Sequence, residues 1–180
     1  RLTELITNDH KYTGVDNSVE MIRIAKQKHT DNKFLKIDSL SHLPFPKNEF
    51  DLALCLAVFH HIPSFEIRLK TLKEIKRVLK PNGKLIITVW NLVNKNEIKT
   101  QILKIKILKL MGLTKLDSGD IYYPFKNSKG EVLVNRYIHC FTQKELINVV
   151  TEAGFKIIEI GQNERGKRVK NSNIVLIASN

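Results

Sequence analysis

The sequence predicts an α/β protein built on a mostly parallel sheet that finishes in an antiparallel hairpin. Three observations carry this. Short β-prone runs alternate with helical stripes through the first half of the chain; two early runs, Tyr12–Asp16 and Phe34–Asp38, end in aspartate with a helix between them; and the last two apolar runs are joined by a polar loop without a helix. Parallel neighbours need a crossover connection, whereas a direct link produces an antiparallel pair.

The elements follow in order. Leu2, Leu5 and Ile6 have helical spacing, and Tyr12–Asp16 is the next β-prone run. Ser18 is placed to cap a helix whose apolar stripe is Met21, Ile22 and Ala25, ending near His29. After the strand Phe34–Asp38, the segment Leu43–Glu49 holds two prolines and reads as a loop; Phe50–Leu56 then reads as a buried strand. Pro63 and Ser64 open a helix with its core face at Phe65, Leu69, Leu72, Ile75 and Leu79, and Pro81-Asn82-Gly83 stops it before the strand Lys84–Trp90. The run Ile102–Leu110 fits a helix or an alternating strand; the basic helix is the preferred reading. Thr142 and Glu145 have capping-box spacing, Gly154 supplies a helix stop, and Phe155–Ile160 and Asn173–Ala178 are the closing strands.

The 180 residues, 42% hydrophobic and 27% charged, fit one globular domain over 1–180, with 91–134 as an insertion on the substrate side. No apolar run reaches the ~20 residues needed to span a bilayer, and no signal-peptide pattern is present, so the chain reads as cytoplasmic. Cys55 and Cys140 lie in apolar segments without ligand spacing, which predicts buried thiols, no disulfide and no metal. The net charge of +12 fits an anionic partner such as nucleic acid, although base composition of the gene would also enrich lysine. Basic residues cluster at Lys95, Lys99, Lys104, Lys106, Lys109 and Lys115, and again at Arg165, Lys167, Arg168 and Lys170. The chain opens at Arg1 with no initiator Met, and no glycine-rich phosphate loop precedes Thr13; the first strand of the fold and its loop are expected to be missing from these residues.

Ligands of open parallel sheets bind outside the carboxyl ends of the strands, so Asp16 and Asp38 suit ribose hydroxyls and base edges. Four motifs in order add a resemblance: Gly14-Val15-Asp16-Asn17-Ser18 with Met21; Asp38-Ser39 with Leu43-Pro44-Phe45 and Phe50-Asp51; Leu56–Ile62; and Leu79–Leu85. Together they resemble the class I S-adenosylmethionine-dependent methyltransferases, which have a Rossmann-like sheet. Farther on, Asp120–Phe125, Asn135–Phe141 and Glu145-Leu146 are similar to the wobble-uridine tRNA methyltransferases, which esterify a carboxymethyl group on uridine. Ile138 stands where that family usually has an aromatic residue, and Phe125 where it has a tryptophan.

The resemblance implies S-adenosylmethionine as methyl donor and tRNA as substrate. It also implies a small partner protein, which eukaryotic members use. It puts Asp16 on the ribose hydroxyls with Asn17 and Ser18 in the same turn, and Asp38 on the adenine amine with the Ser39 N–H on a ring nitrogen. Met21 would pack on the nucleoside or in the core, and Leu56 and Ala57 would offer backbone groups to the methionine end. His60 and His61 would shape the site, with Arg136, Tyr137 and His139 holding substrate; Tyr122 and Tyr123 are further stacking candidates. Arg165, Lys167, Arg168 and Lys170 would meet phosphates. A strand absent between those ending at Asp16 and Leu56 would leave the 180 residues binding cofactor poorly. Two other functions remain open: a small-molecule O- or C-methyltransferase of the same fold, and a non-catalytic basic RNA-binding module.

Overall fold

The computed structural model describes residues 10–93, 95–163 and 173–180, excluding the side chains of Lys126 and Asn163. The basic cluster expected to meet phosphates, Arg165, Lys167, Arg168 and Lys170, lies outside them. The chain divides into two compact units, Arg1–Pro44 and Phe45–Asn180. Their boundary falls in the proline-containing loop, whose prolines have no N–H to give to pairing.

In the first unit β1 (Thr13–Asp16) runs parallel to β2 (Lys33–Lys36), and α1 (Val19–Lys28) is the crossover between them. Ser18 caps α1 as its spacing predicts, its Oγ accepting from the Met21 N–H at 3.3 Å. Ile22, Phe34, Ile37 and Leu43 are buried. Gly14 is required here, because a Cβ would come within 2.7 Å of the Phe34 ring.

The second unit begins with β3 (Phe50–Leu56), a 3-10 turn (Phe59–His61), α2 (Phe65–Val78) and β4 (Leu79–Trp90). Next come α3 (Asn96–Leu110), β5 (Asp120–Lys126), β6 (Val132–His139), α4 (Gln143–Glu152), β7 (Lys156–Asn163) and β8 (Asn173–Ser179). Its main sheet has the order β3-β4-β8-β7, with β3–β4 parallel and the other pairs antiparallel. The helical alternation and the closing hairpin therefore appear as the sequence predicts. Among the described residues β1 pairs with β2 alone and β3 with β4 alone, so each has one edge without a strand partner.

Three local expectations change. β4 starts at Leu79 rather than Lys84, because Phe50 pairs with Leu79 and the ladder resumes at Leu52–Lys84, leaving Pro81-Asn82-Gly83 in a bulge. The buried face of α2 is Arg68, Thr71, Leu72, Ile75 and Val78, rotated from the apolar stripe so that Phe65 and Leu69 are only half-buried. The stretch expected to be an insertion over 91–134 is α3 plus a β5–β6 hairpin that continues to His139. Leu92, Ile98, Ile121, Ile138 and Cys140 form its core, with Trp90 and Tyr123 packed against it. Ile102–Leu110 is helical, as preferred. Both cysteines are buried thiols, Cys55 pushed up to about 12 by burial. No helix among the described residues is long and apolar enough to cross a membrane.

Candidate active site

In the first unit the acidic turn is pre-shaped by its own backbone. Asp16 Oδ1 accepts from the Ser18 N–H at 2.8 Å, which leaves Oδ2 free to accept from a ligand. Asn17 is exposed beside it. Met21 is 50% exposed, so it is not a core residue of this unit. Asp38 pairs with Lys36, which holds its carboxyl below the ordinary range, and it stands in solvent. The Ser39 Oγ accepts from the Ser41 N–H at 3.1 Å, while no partner takes the Ser39 N–H among the described residues.

The second unit presents the carboxyl ends of its parallel strands β3 and β4. Leu56 closes β3, and Ala57 follows in the left-handed region at φ 56°, a conformation that costs a non-glycine residue about 1–3 kcal/mol. Its N–H is held by Thr88 O and Oγ1, both at 3.0 Å, so the carbonyl is the backbone group it can offer. The 3-10 turn then sets His60 and His61 against Trp90, the last residue of β4, with ring centroids 4.8 and 5.9 Å away. His61 Nδ1 donates to the Tyr137 carbonyl at 3.0 Å. His60 is fully buried and neither ring nitrogen has a partner. Burial first, then His61 and Arg136, pushes it down to about 3, so it is neutral near pH 7.

β6 separates residues that the sequence reading placed together. Side chains alternate across a strand, so Arg136 and Ile138 share one face and Tyr137 and His139 the other. The Arg136 guanidinium lies over Phe125 (4.4 Å to the centroid) and Trp90 (5.5 Å), and its buried Nε has no partner. It remains a candidate for holding an anionic group.

Tyr137 and His139, expected to hold substrate, are instead committed to a buried network. Arg68 of α2 donates from Nη1 to the Ile62 carbonyl (3.1 Å) and the Tyr137 hydroxyl (3.3 Å), and from Nη2 to Asp117 Oδ2 (2.6 Å). Lys109 donates to the other Asp117 oxygen at 3.0 Å. The Tyr137 hydroxyl donates to Asp120 Oδ1 at 2.7 Å, and Asp120 Oδ2 accepts from the Asp117 N–H. His139 lies between two carboxylates, Nδ1 at 2.6 Å from Asp120 and Nε2 at 2.8 Å from Glu145. An ionised carboxylate only accepts, so both nitrogens carry hydrogen and the ring is an imidazolium. Burial opposes that charge, but the Asp120 and then Glu145 bonds outweigh it and raise the His139 pKa. Asp120 is held low because the His139 and Tyr137 bonds overcome its burial.

Thr142 caps α4 by accepting from the Glu145 N–H at 3.1 Å, but the reciprocal half of the capping box is not made because the Glu145 carboxylate turns to His139. Ligand atoms of Asp117, Asp120 and His139 come within 4.8 Å of one another, yet Arg68, Lys109, Tyr137 and the imidazolium already occupy them. Sequence reasoning missed Arg68. Its spacing to Leu72 and Ile75, at i+4 and i+7, was the available signal.

Trp90, Asn91, Leu92, Lys95, Tyr123 and Asn173 line a cavity of about 290 Å³ at the same carboxyl edge. Two of these lining residues, Trp90 and Asn173, are cross-strand partners on β4 and β8.

Residues 1–87 match a protein family described as "Methyltransferase domain". The chain is 30% identical over 166 residues to the tRNA (carboxymethyluridine(34)-5-O)-methyltransferase of Schizosaccharomyces pombe, covering 82% of this chain and 66% of that protein. It is 35% identical over 79 residues to the Arabidopsis thaliana protein of the same name, covering 44% of this chain and 19% of that one. The chain thus spans less than two thirds of the length of these curated relatives. The crystal structure of a SAM-dependent methyltransferase from Methanosarcina mazei matches with a TM-score of 0.78 and 25% identity, over 99% of this chain and 85% of that one. With Asp16 ending β1 and Asp38 in the turn after β2 in one unit, and the β3–β4 carboxyl edge in the other, the chain belongs to the class I S-adenosylmethionine-dependent methyltransferases.

Proposed function

We propose that this protein transfers a methyl group from S-adenosylmethionine to the carboxylate of a modified wobble uridine in tRNA. The observation that carries the reading is the extent of the likeness to the Schizosaccharomyces pombe enzyme. An alignment taking in 82% of a 180-residue chain necessarily includes the β5–β6 hairpin, well past the residues that match the general methyltransferase family. That hairpin carries Arg136 and Tyr123, groups suited to an anionic base.

The first unit fits the adenosine part of the donor: the free Asp16 oxygen and the exposed Asp38 carboxylate are acceptors for hydroxyl and amine, and the Ser39 N–H is an available donor. Bound S-adenosylmethionine supplies a methyl group on a sulfonium, whose transfer to a carboxylate oxygen breaks the carbon–sulfur bond, leaves its electron pair on sulfur and moves no proton. A carboxylate is already ionised at pH 7, so no general base is needed. The contribution of the protein is alignment and exclusion of water. Neutral His60 suits a packing role better than an anion-binding one. A small partner protein remains part of this proposal.

The test uses labelled S-adenosylmethionine and tRNA lacking the final ester. Label released from the RNA as methanol by alkali is the expected result, and Asp16→Ala weakens S-adenosylhomocysteine binding by about tenfold or more. Alkali-stable label, or transfer only to small metabolites, contradicts the substrate; binding of tRNA without any methyl transfer favours the non-catalytic RNA-binding alternative.

A further inference from the structure

We propose that the cavity at the end of β4 is the subsite for the target base itself, and that Lys95 selects its free carboxylate over the methyl ester. This rests on the function proposed above. The cavity volume of about 290 Å³ lies at the lower end of small-ligand pockets, enough for one substituted ring and too small for two stacked bases. Its lining combines π faces from Trp90 and Tyr123 with two side-chain amides, Asn91 and Asn173, which have no partner among the described residues. An amide offers one acceptor and a donor pair, complementary to the imide edge of a uracil ring, and single-stranded bases are held by such stacking and edge bonding.

Charge sets the second requirement. Lys95 is the cation of the lining, no carboxylate lines the cavity, and no carboxylate pairs with Lys95 among the described residues. Its ammonium donates to the Tyr123 hydroxyl at 3.1 Å and lies 5.4 Å from the centroid of that ring, which fixes the charge at the wall. Arg136 adds a second cation on the Trp90 face. A ring bearing a carboxylate gains a charge-assisted bond there. Once the carboxylate is esterified the charge is gone, so the subsite holds substrate and lets product leave.

Trp90 is the one tryptophan of the chain, so its fluorescence reports this cavity directly. The experiment titrates the whole chain with 5-carboxymethyluridine, its methyl ester and uridine as free nucleosides, following Trp90 emission. The acid is expected to give a saturable change, with the ester and uridine about tenfold or more weaker. Lys95→Gln is expected to bring the acid to the level of the ester and, in the tRNA assay, to raise KM far more than it lowers kcat. Lys84→Gln, the same charge change on an exposed residue six positions before Trp90 on β4, leaves the preference intact. Equal binding of acid and ester, no response of Trp90 up to millimolar nucleoside, or a Lys95→Gln protein that still prefers the acid overturns the assignment. Acid-selective binding without methylation of tRNA would instead leave the subsite standing and refute the function it rests on.

Discussion

Replacing His60 by leucine should make the protein more resistant to acid. The imidazole is fully buried, packs within 4.8 Å of Trp90 and 4.4 Å of His61 between ring centroids, and has no hydrogen-bond partner at either nitrogen. Leucine has similar volume and no polar atom, so it relieves an unsatisfied donor worth about 1–3 kcal/mol and forfeits ring contacts worth about 1 kcal/mol. Near pH 7.5 these offsets roughly cancel. The diagnostic quantity is the pH dependence. The folded-state pKa of His60 is pushed down to about 3, whereas an unfolded histidine titrates near about 6.5. A depressed folded pKa contributes stability that is present above the unfolded value and is lost as pH falls toward the folded one. Linkage between these two values gives a loss of about 2 kcal/mol from this residue between pH 7.5 and pH 5. His139 works oppositely, stabilising the fold more as pH falls, but it is common to both proteins and drops out of the difference. Urea unfolding followed by circular dichroism at several pH values, for wild type and His60→Leu, measures that difference. It should grow in favour of the variant by about 2 kcal/mol over this interval. A difference constant to within about 0.5 kcal/mol would show that His60 is solvated or paired in the native state and refute the reasoning.

Two further outcomes are expected from the buried network. Arg68→Met removes the cation from Asp117, the Ile62 carbonyl and Tyr137; leaving a largely buried carboxylate short of a partner should cost about 3–5 kcal/mol, read as a lower urea midpoint with unchanged slope. Glu145→Gln leaves His139 with Asp120 as its remaining carboxylate, so its raised pKa should fall. The stabilisation that His139 gives below the unfolded value of about 6.5, and loses as pH rises through the folded one, should then disappear at lower pH than in wild type; imidazole NMR titration measures the shift, and an unchanged pKa contradicts the bridged imidazolium.

Much of the frame is legible because it depends on near neighbours. The caps at Ser18 and Thr142, the α1 and α4 helices and the closing hairpin follow from spacing and turn chemistry. The misreadings have specific physical origins. The α2 stripe was drawn through apolar residues, but burial follows the face that meets α4 and β4, and that face includes Arg68 because Asp117 and Tyr137 supply its partners. The resemblance groups Arg136 and His139 as substrate ligands; with β6 extended, their odd separation puts them on opposite faces. Lys95, Asn91 and Asn173 carried no signal as a group, since Asn173 reaches the others through the β4–β8 ladder.

The sequence alone determined the local elements, the acidic strand ends of β1 and the turn after β2, and the family, because each depends on residues a few positions apart or on motifs read in order. Tertiary structure decided the electrostatics. Whether His60 is neutral and His139 charged cannot be read from either residue or its neighbours in the chain: the first is set by burial against Trp90, the second by carboxylates from Asp120, on the paired strand, and Glu145, on the following helix. Side-chain ionisation follows the groups that packing brings within about 3 Å and the water it excludes, and both are properties of the folded chain.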